Sequence, residues 1–330
     1  MLARGEFKNR KSRPMRKKSP IGPKKRVLIL RSGALGDTLM LLPGLAALPN
    51  PVEIFVAGRL PGLEFLKPFT SRCLDYESSG WHRLFSENPE PLPRPPWPQA
   101  DEVIAFSAGP AGRLQPNLEF YFPHAGIHLF PAFPEQGRDL HVALYLAQCL
   151  AEAGLTLNPQ QAFAVAQQKA LLNPDSPQSK TQTLVFHPGS GSGQKNLGAE
   201  FWLPLIKTLG RNSGPFKPVL LLGPAEQAMR PYFEKTQTEH GAQIVFCPEN
   251  PDLIETLKGA ALYIGHDSGI THLAAMLGRP SIALFRNSSV TQWRPLGPKV
   301  TVIEAQEPLD GVMDQVLWMA QSFLSKENEE

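Results

Sequence analysis

The sequence lacks the residues and patterns that would place it among metal-binding, disulfide-bonded or membrane-spanning proteins. Its three cysteines, Cys73, Cys149 and Cys247, lie far apart without disulfide or metal spacing, so a cytoplasmic protein is expected. No Asp-x-Asp pair occurs and the eight histidines are dispersed, which predicts that there is no dedicated metal site. No apolar run approaches the roughly 20 residues of a membrane span, and Val27–Leu30 is too short for a signal peptide.

Positive charge is concentrated at the amino end. Residues 1–26 hold eleven Lys or Arg and one Glu, whereas the whole chain has a net charge of only +3. The tail over 1–25 has little apolar content and is predicted to be disordered. It is either a solubilising extension or an electrostatic contact with the anionic inner face of a membrane. Because the remainder is acidic and the tail has a single aromatic residue, nucleic acid is not an expected partner.

Strand-length apolar runs alternate with helical segments, which favours a parallel α/β sheet, and 330 residues suit two such domains. The strands predicted for the first half are Val27–Arg31, Val52–Val56 and Glu102–Phe106, with a helix over Asp37–Leu48. Those predicted for the second half are Thr183–His187, Val219–Leu222, Gln243–Phe246, Ala261–Ile264, Ser281–Phe285 and Val300–Ile303. The predicted divisions are a first Rossmann-like domain over 26–160, a linker over 161–182 with a short strand at Phe163–Ala166, a second Rossmann-like domain over 183–308, and a final helix and acidic end over 309–330.

The most informative stretch runs from Tyr263 to Phe285. It predicts a strand, a polar glycine-bracketed turn, a helix over 270–277 and a second strand. The turn brings polar side chains to a helix N-terminus, where unpaired N–H groups and the helix dipole favour an anion such as a diphosphate. These side chains are Asp267, Ser268, Thr271 and His272. Plainer roles also fit, since Asp267 could cap the helix and His272 could be a packed histidine.

Two further glycine turns follow predicted strands. In the first, Ser32, Gly33 and Gly36 precede Asp37, which is either a helix N-cap or a carboxylate that takes a proton from a sugar hydroxyl. The turn lacks the Gly-x-Gly-x-x-Gly dinucleotide fingerprint. The second runs from His187 to Leu197, where Gly189 and Ser190 could approach phosphate and Lys195 could supply a charge. It lacks the residues of a P-loop and could be a surface loop.

Three segments together resemble glycosyltransferase family 9, whose best-known members are the ADP-heptose:lipopolysaccharide heptosyltransferases. They are Val27–Leu45, His187–Gly191 with Lys195, and Ile264–Pro280 continuing through Ala283–Phe285 and Trp293–Gly297. The resemblance implies a GT-B fold, in which two doubly wound Rossmann-like domains face a central cleft. It also implies inverting, metal-independent transfer of a heptose from ADP-heptose, without a cofactor, to a lipid-linked saccharide of the lipopolysaccharide type.

The resemblance also implies roles for single residues. Asp37 is similar to the family's general base, with Ser32, Gly33 and Gly36 on the acceptor side. Lys195, with Gly189 and Ser190, is similar to the group that neutralises the departing diphosphate. The nucleotide-sugar loop corresponds to Asp267, Ser268, Gly269, Thr271 and His272.

The sequence departs from the family pattern at three places. Asn196–Leu197 stand where Arg-Trp is usual, Arg286–Asn287 where Gly-Pro is usual, and Thr271 where Met is frequent. The departure at 286–287 keeps a non-catalytic nucleotide-sugar-binding protein open as an alternative. A nucleotide-sugar epimerase of similar two-domain architecture is a second alternative.

Overall fold

The structure is a computed structural model. It describes residues 24–49, 52–78, 80–90, 95–109, 112–135, 137–172, 182–212, 216–234, 241–306 and 308–327. The tail predicted over 1–25 therefore lies outside the described residues, apart from its last two positions. Lys25 already begins the first strand. No helix in the described part of the chain is both long enough and apolar enough to cross a bilayer.

The first half forms a parallel five-stranded sheet in the order β3-β2-β1-β4-β5. Its strands are β1 (Lys25–Arg31), β2 (Val52–Gly58), β3 (Arg72–Asp75), β4 (Glu102–Ser107) and β5 (Gly126–Pro131). Near-continuous runs of apolar residues such as Val27–Leu30 suit strands that are covered on both faces. The strand order reverses between β1 and β4, which is where ligands of such sheets bind.

The second half repeats this design with a parallel six-stranded sheet in the order β11-β10-β9-β6-β7-β8. Its strands are β6 (Thr183–His187), β7 (Lys217–Leu222), β8 (Gln243–Phe246), β9 (Ala260–His266), β10 (Ser281–Phe285) and β11 (Val300–Glu304). The order reverses between β6 and β9. Two parallel α/β sheets with one reversal point each match the predicted fold class of two doubly wound Rossmann-like domains.

In the described part of the chain, ten α-helices surround the sheets. They are α1 (Leu35–Leu39), α2 (Leu42–Ala46), α3 (Leu114–Tyr121), α4 (Val142–Glu152), α5 (Pro159–Gln168), α6 (Ala199–Asn212), α7 (Asn250–Lys258), α8 (Gly269–Met276), α9 (Val290–Trp293) and α10 (Leu309–Glu327). Helix α10 packs on the second sheet through Val312, Val316, Ala320 and Leu324, whose four-residue spacing forms one apolar stripe.

One buried apolar cluster joins the two halves. It contains Leu39 and Leu146 from the first half together with Leu273 and Leu277 from the second. Beyond α5, the Leu172 amide donates to the carbonyl of Met276 at 3.0 Å, which ties the connecting segment to the end of α8. The halves are therefore in contact through the helices that follow β1 and β9.

Several local predictions were wrong. The segment Phe163–Ala166 is part of helix α5, which begins at the Asn158 cap and Pro159, a normal first helical residue. The single helix predicted over Asp37–Leu48 is broken into α1 and α2 at Met40 and Leu41 because Pro43 starts a new helix.

Candidate functional site

The turn after β9 is built around a capped helix. All seven residues of β9 are buried, and the strand runs on to His266, past the predicted end at Ile264. The cap of α8 is Ser268, whose Oγ accepts from the Thr271 amide at 3.3 Å, so Asp267 is not the cap. The Thr271 hydroxyl contacts the hydroxyls of Ser268 at 3.1 Å and Tyr263 at 3.0 Å. This network fixes the N-terminus of α8 and leaves Asp267 for another role.

That role is an ion pair with the glycine loop. Lys195 Nζ lies 2.6 Å from Asp267 Oδ2, and His272 Nε2 lies 3.7 Å from the other carboxylate oxygen. Asp267 is 4% exposed in its side chain, whereas Lys195 remains 30% exposed. A buried carboxylate thus holds a partly exposed cation beside the helix N-terminus. Both the cation and the helix N-terminus attract an anion.

The glycine loop after β6 is held from both ends. Ser190 Oγ donates to Asn196 Oδ1 at 2.7 Å, and the Leu197 amide donates to His266 Nε2 at 2.9 Å. Asn287 Nδ2 donates to the carbonyl of Gln194 at 2.9 Å. Asn196 and Asn287, which depart from the family pattern, therefore support the loop that presents Lys195 through their side chains, whereas Leu197 contributes only its backbone amide.

Glu226 lies against the start of the same loop. Its carboxylate accepts from the Gly223 amide at 2.6 Å and is 2% exposed. A Cβ placed on Gly189 would stand 1.7 Å from Glu226 Oε1, so only glycine fits there. Burial raises the pKa of Glu226, with backbone hydrogen bonds acting in the opposite direction.

Asp37 belongs to the corresponding turn of the first half. It is the third residue of α1, and its Oδ2 accepts from the amide of Ala34, the cap residue, at 2.9 Å. A Cβ on Gly33 would stand 2.8 Å from that same oxygen, so the carboxylate lies directly over this glycine. Asp37 thus caps the helix from inside its first turn, which corrects the prediction of an N-cap position.

The Arg31 side chain supports the turn that carries Asp37. Its Nε donates to the Asp37 carbonyl at 2.8 Å and its Nη1 to the Ala132 carbonyl at 2.9 Å. The guanidinium lies 5.5 Å from the ring centres of both Phe106 and Phe133. Burial lowers the pKa of Arg31 to about 10, so it remains a cation at neutral pH.

The two turns meet at a pair of glycines. A Cβ on Gly36 would stand 3.4 Å from the Gly269 Cα and 3.4 Å from His272 Cδ2. A Cβ on Gly269 would stand 2.8 Å from the Gly36 nitrogen. The backbone turn that carries Asp37 therefore rests directly against the N-terminus of α8.

A second contact between the halves lies beside the first. The His141 Nδ1 accepts from the Ala143 amide at 3.1 Å, so its Nε2 carries the proton and donates to the Arg294 carbonyl at 2.8 Å. The rings of Phe133 and Trp293 lie 5.7 Å apart, edge to face. The Trp293 ring thus connects the segment after β5 to α9.

The histidines around the site are buried in their neutral form. Burial lowers the pKa of His141, His187 and His272 to about 4 and that of His266 to about 3. The Asp267 carboxylate partly offsets this effect at His272. These imidazoles therefore act as neutral hydrogen-bonding groups near pH 7. Among the described residues, no three His, Cys, Asp or Glu side chains converge in a way that could hold a metal ion.

The structure brings the predicted donor residues together and places the Asp37 turn against them. Sequence reasoning missed Arg31, His141 and Glu226, each a buried polar side chain in or just after a strand or at a helix start. Arg31 could have been found from the sequence, because it is a charged residue directly after an apolar run. No sequence pattern marks Glu226 or His141, because their partners are distant in sequence or are backbone groups.

Comparisons with known proteins agree with this geometry. Residues 135–313 match the family model described as glycosyltransferase family 9 (heptosyltransferase). The glycosyl transferase family 9 protein from Veillonella parvula superposes with a TM-score of 0.65 at 17% identity, covering 93% of this chain and 100% of that one. A comparison with curated protein sequences found no match.

Two Escherichia coli structures are similar as well. Heptosyltransferase WaaC with ADP gives a TM-score of 0.62 at 17% identity, covering 89% of this chain and 99% of that one. ADP-heptose LPS heptosyltransferase II gives 0.64 at 17% identity, covering 92% and 99%. The fold and the matching family define a GT-B glycosyltransferase. The chain belongs to glycosyltransferase family 9, which confirms the resemblance found in its sequence motifs.

Proposed function

We propose that the protein is an inverting, metal-independent glycosyltransferase that moves a heptose from ADP-heptose to a lipopolysaccharide core or a related glycolipid. The observation that carries this proposal is the contact between the Asp37 turn and the Gly269 end of α8. In that contact, the turn that carries Asp37 on one half meets the N-terminus of α8 on the other, and a helix N-terminus favours an anion. The E. coli relatives, named as heptosyltransferases with ADP or ADP-heptose, support the choice of donor.

In the proposed reaction, Asp37 takes the proton from an acceptor hydroxyl. The resulting oxygen attacks the anomeric carbon from the side opposite the diphosphate, the bond from that carbon to the diphosphate oxygen breaks, and the configuration inverts. Lys195 and the N-terminal amides of α8 stabilise the negative charge that develops on the leaving diphosphate. The Lys195–Asp267 pair holds the lysine in place for this task.

The two halves take different substrates in this proposal. The first domain (26–160), with Ser32, Gly33 and Gly36, receives the acceptor. The second (183–308), with Gly189, Ser190, Ser268, Gly269, Thr271 and His272, binds the donor. The basic residues of 1–26 provide peripheral contact with the anionic inner face of the cytoplasmic membrane, at about 1 kcal/mol per basic residue near the surface.

The departures from the family pattern do not favour the non-catalytic alternative. Asn196 hydrogen-bonds within the loop that carries Lys195, and Asn287 hydrogen-bonds to the same loop from outside it. A working donor site requires this loop to be held in place. The epimerase alternative predicts donor turnover without any acceptor. Neither alternative needs Asp37 to lie at the contact between the halves.

Thermal shift against ADP, UDP, GDP and CMP, followed by a transfer assay, tests the proposal. We expect selective stabilisation by ADP that is lost in Lys195→Ala and kept in the matched control Lys207→Ala, an exposed lysine of α6. Asp37→Asn should keep nucleotide binding and lower kcat by about 10²–10⁴-fold, the usual contribution of a general base. Unchanged kcat in Asp37→Asn would refute the mechanism, and no stabilisation by any nucleotide would refute the donor assignment.

A further inference from the structure

A cavity of about 650 Å³ opens at the amino ends of β1 and β4, on the edge of the first sheet opposite the Asp37 turn. Arg26 of β1 and Asp101, directly before β4, contribute to its lining. Its volume lies within the range of about 300–1,000 Å³ that is usual for ligand sites. Because the candidate site lies at the carboxyl ends of the strands, this cavity is separate from the proposed reaction.

Aromatic rings form much of the lining of this cavity. They belong to Trp97, Phe120, Tyr121 and Phe122, and three prolines lie beside them. The Phe120 side chain is large and apolar yet 44% exposed, so its ring is available to a ligand. Grooves lined by aromatic rings are the surfaces on which proline-rich segments in the polyproline II conformation dock.

Contacts within the protein hold these rings in position. Trp97 stacks on Trp81 with ring centres 4.4 Å apart and meets Tyr121 edge to face at 5.1 Å. The Tyr121 hydroxyl donates to the carbonyl of Glu90 at 3.2 Å. Because the rings are already ordered, a segment that is itself stiff would lose little conformational freedom when it binds them.

The chain that precedes Lys24 contains a segment of this kind. Residues 20–23 read Pro-Ile-Gly-Pro. A polyproline II helix has three residues per turn, so Pro20 and Pro23 would lie on the same side of it. Pro23 is only three positions before Arg26, which lines the cavity. At about 3.1 Å per residue, residues 20–23 lie within about 20 Å of Arg26.

A surface depression connects the start of the described chain with the cavity. It is lined by Lys24 and shares Arg26 and Asp101 with the cavity. Ion pairs fix the chain here, Arg26 with Asp101 at 2.9 Å and Lys25 with Glu102 at 3.1 Å. The segment before Lys24 is therefore attached beside the aromatic rings. Its docking would be intramolecular, at an effective concentration in the millimolar range.

We propose that residues 20–23 of this chain dock on the aromatic lining of the cavity in the polyproline II conformation. They are then an exception to the disorder predicted from the composition of 1–25. The docking fixes the origin of the basic residues 4–18 at the amino edge of the first sheet, opposite the edge that carries Asp37. The proposal is independent of the proposed reaction, because it uses no residue of the candidate site.

Fluorine NMR on the full chain, labelled with 5-fluorotryptophan, tests this assignment. A soluble gadolinium chelate broadens the resonances of exposed tryptophans, and Trp97→Phe identifies the resonance of Trp97. We expect Trp97 to be protected in the unmodified protein and to lose this protection in the double variant Pro20→Ala/Pro23→Ala. Trp318, 67% exposed on α10, is the internal reference and should be broadened equally in both proteins.

The matched control is Pro14→Ala, which removes a proline of the same tail outside residues 20–23 and should keep the protection. Equal broadening of Trp97 in the unmodified protein and the double variant would overturn the proposal, as would loss of protection in Pro14→Ala. Serial dilution provides a further test, because docking within one chain does not depend on protein concentration. Protection that falls on dilution would show that the tail of a second copy occupies the cavity, and would overturn the intramolecular assignment.

Discussion

The contact between Gly36 and Gly269 predicts that one added methyl group will separate the two halves of the candidate site. In Gly269→Ala, the new Cβ would stand 2.8 Å from the Gly36 nitrogen and 2.9 Å from the Leu35 Cβ. Unstrained contacts between carbon atoms lie at about 3.5–4.0 Å, so the turns must move apart by about 0.6–1 Å. The atoms that obstruct the methyl include backbone, which cannot rotate away as a long side chain can.

Two terms set the magnitude of this effect. Overpacking costs about 1–3 kcal/mol. Alanine in place of glycine returns about 0.5–1 kcal/mol in a helix interior and less at Gly269, the first residue of α8. We therefore expect a net loss of about 1–2.5 kcal/mol in unfolding free energy. The rate should suffer more, because a displacement of about 1 Å between reacting groups can cost about 10²-fold. Thermal unfolding and the transfer rate measure the two effects separately.

Two glycine variants provide the controls. In Gly36→Ala the nearest atoms lie at 3.4 Å, so the effects should be smaller in both assays. In Gly311→Ala, at an exposed position of α10, the Cβ meets nothing within 4 Å, so the same change should stabilise by about 0.5–1 kcal/mol and leave the rate unchanged. A Gly269→Ala protein with an unchanged melting temperature and a rate within twofold of the unmodified enzyme, a bound well inside the expected loss of about 10²-fold, would refute this reasoning.

Two further predictions concern buried polar groups. Because burial lowers the pKa of His141 to about 4, the unfolded chain binds its proton first as the pH falls, and stability should decline between about pH 6.5 and pH 4. His141→Asn should reduce the slope of melting temperature against pH in this window, and parallel slopes would contradict the assignment. Gly189→Ala should destabilise by forcing the Glu226 carboxylate aside, and adding Glu226→Ala should cost less than the sum of the single changes in thermal unfolding. Additive losses would mean that the two residues do not share this space.

The sequence predicted the elements that carry strong local patterns. Strands β6, β8 and β10 have the predicted bounds because each holds a short apolar run with Pro or a polar residue close to its ends, although β8 is a partly buried edge strand. Strands β3 and β5 were missed. Arg72–Asp75 is too short and too polar to show a pattern. In Gly126–Pro131 the apolar run is interrupted by His128 and shows no clear period.

For the site, the sequence could indicate turns but not the partners within them. The glycine turns and the helix N-terminus were predictable because glycine and capping residues act locally. The pairing of Lys195 with Asp267, 72 positions away, depends on β6 and β9 being neighbours in the sheet. That adjacency follows from the crossover topology, which no local pattern encodes.

The difference between local patterns and contacts that are distant in sequence also explains why Asn196 and Asn287, which depart from the family pattern, need not abolish a site. Asn287 adopts a left-handed conformation with φ of 57°, which asparagine tolerates better than most residues. From there its side chain reaches the carbonyl of Gln194, immediately before Lys195. Asn196, immediately after Lys195, is held by Ser190. The lysine is thus flanked on both sides by asparagine side-chain contacts. These contacts hold the loop that presents Lys195, so the departures from the family pattern are compatible with the proposed donor site.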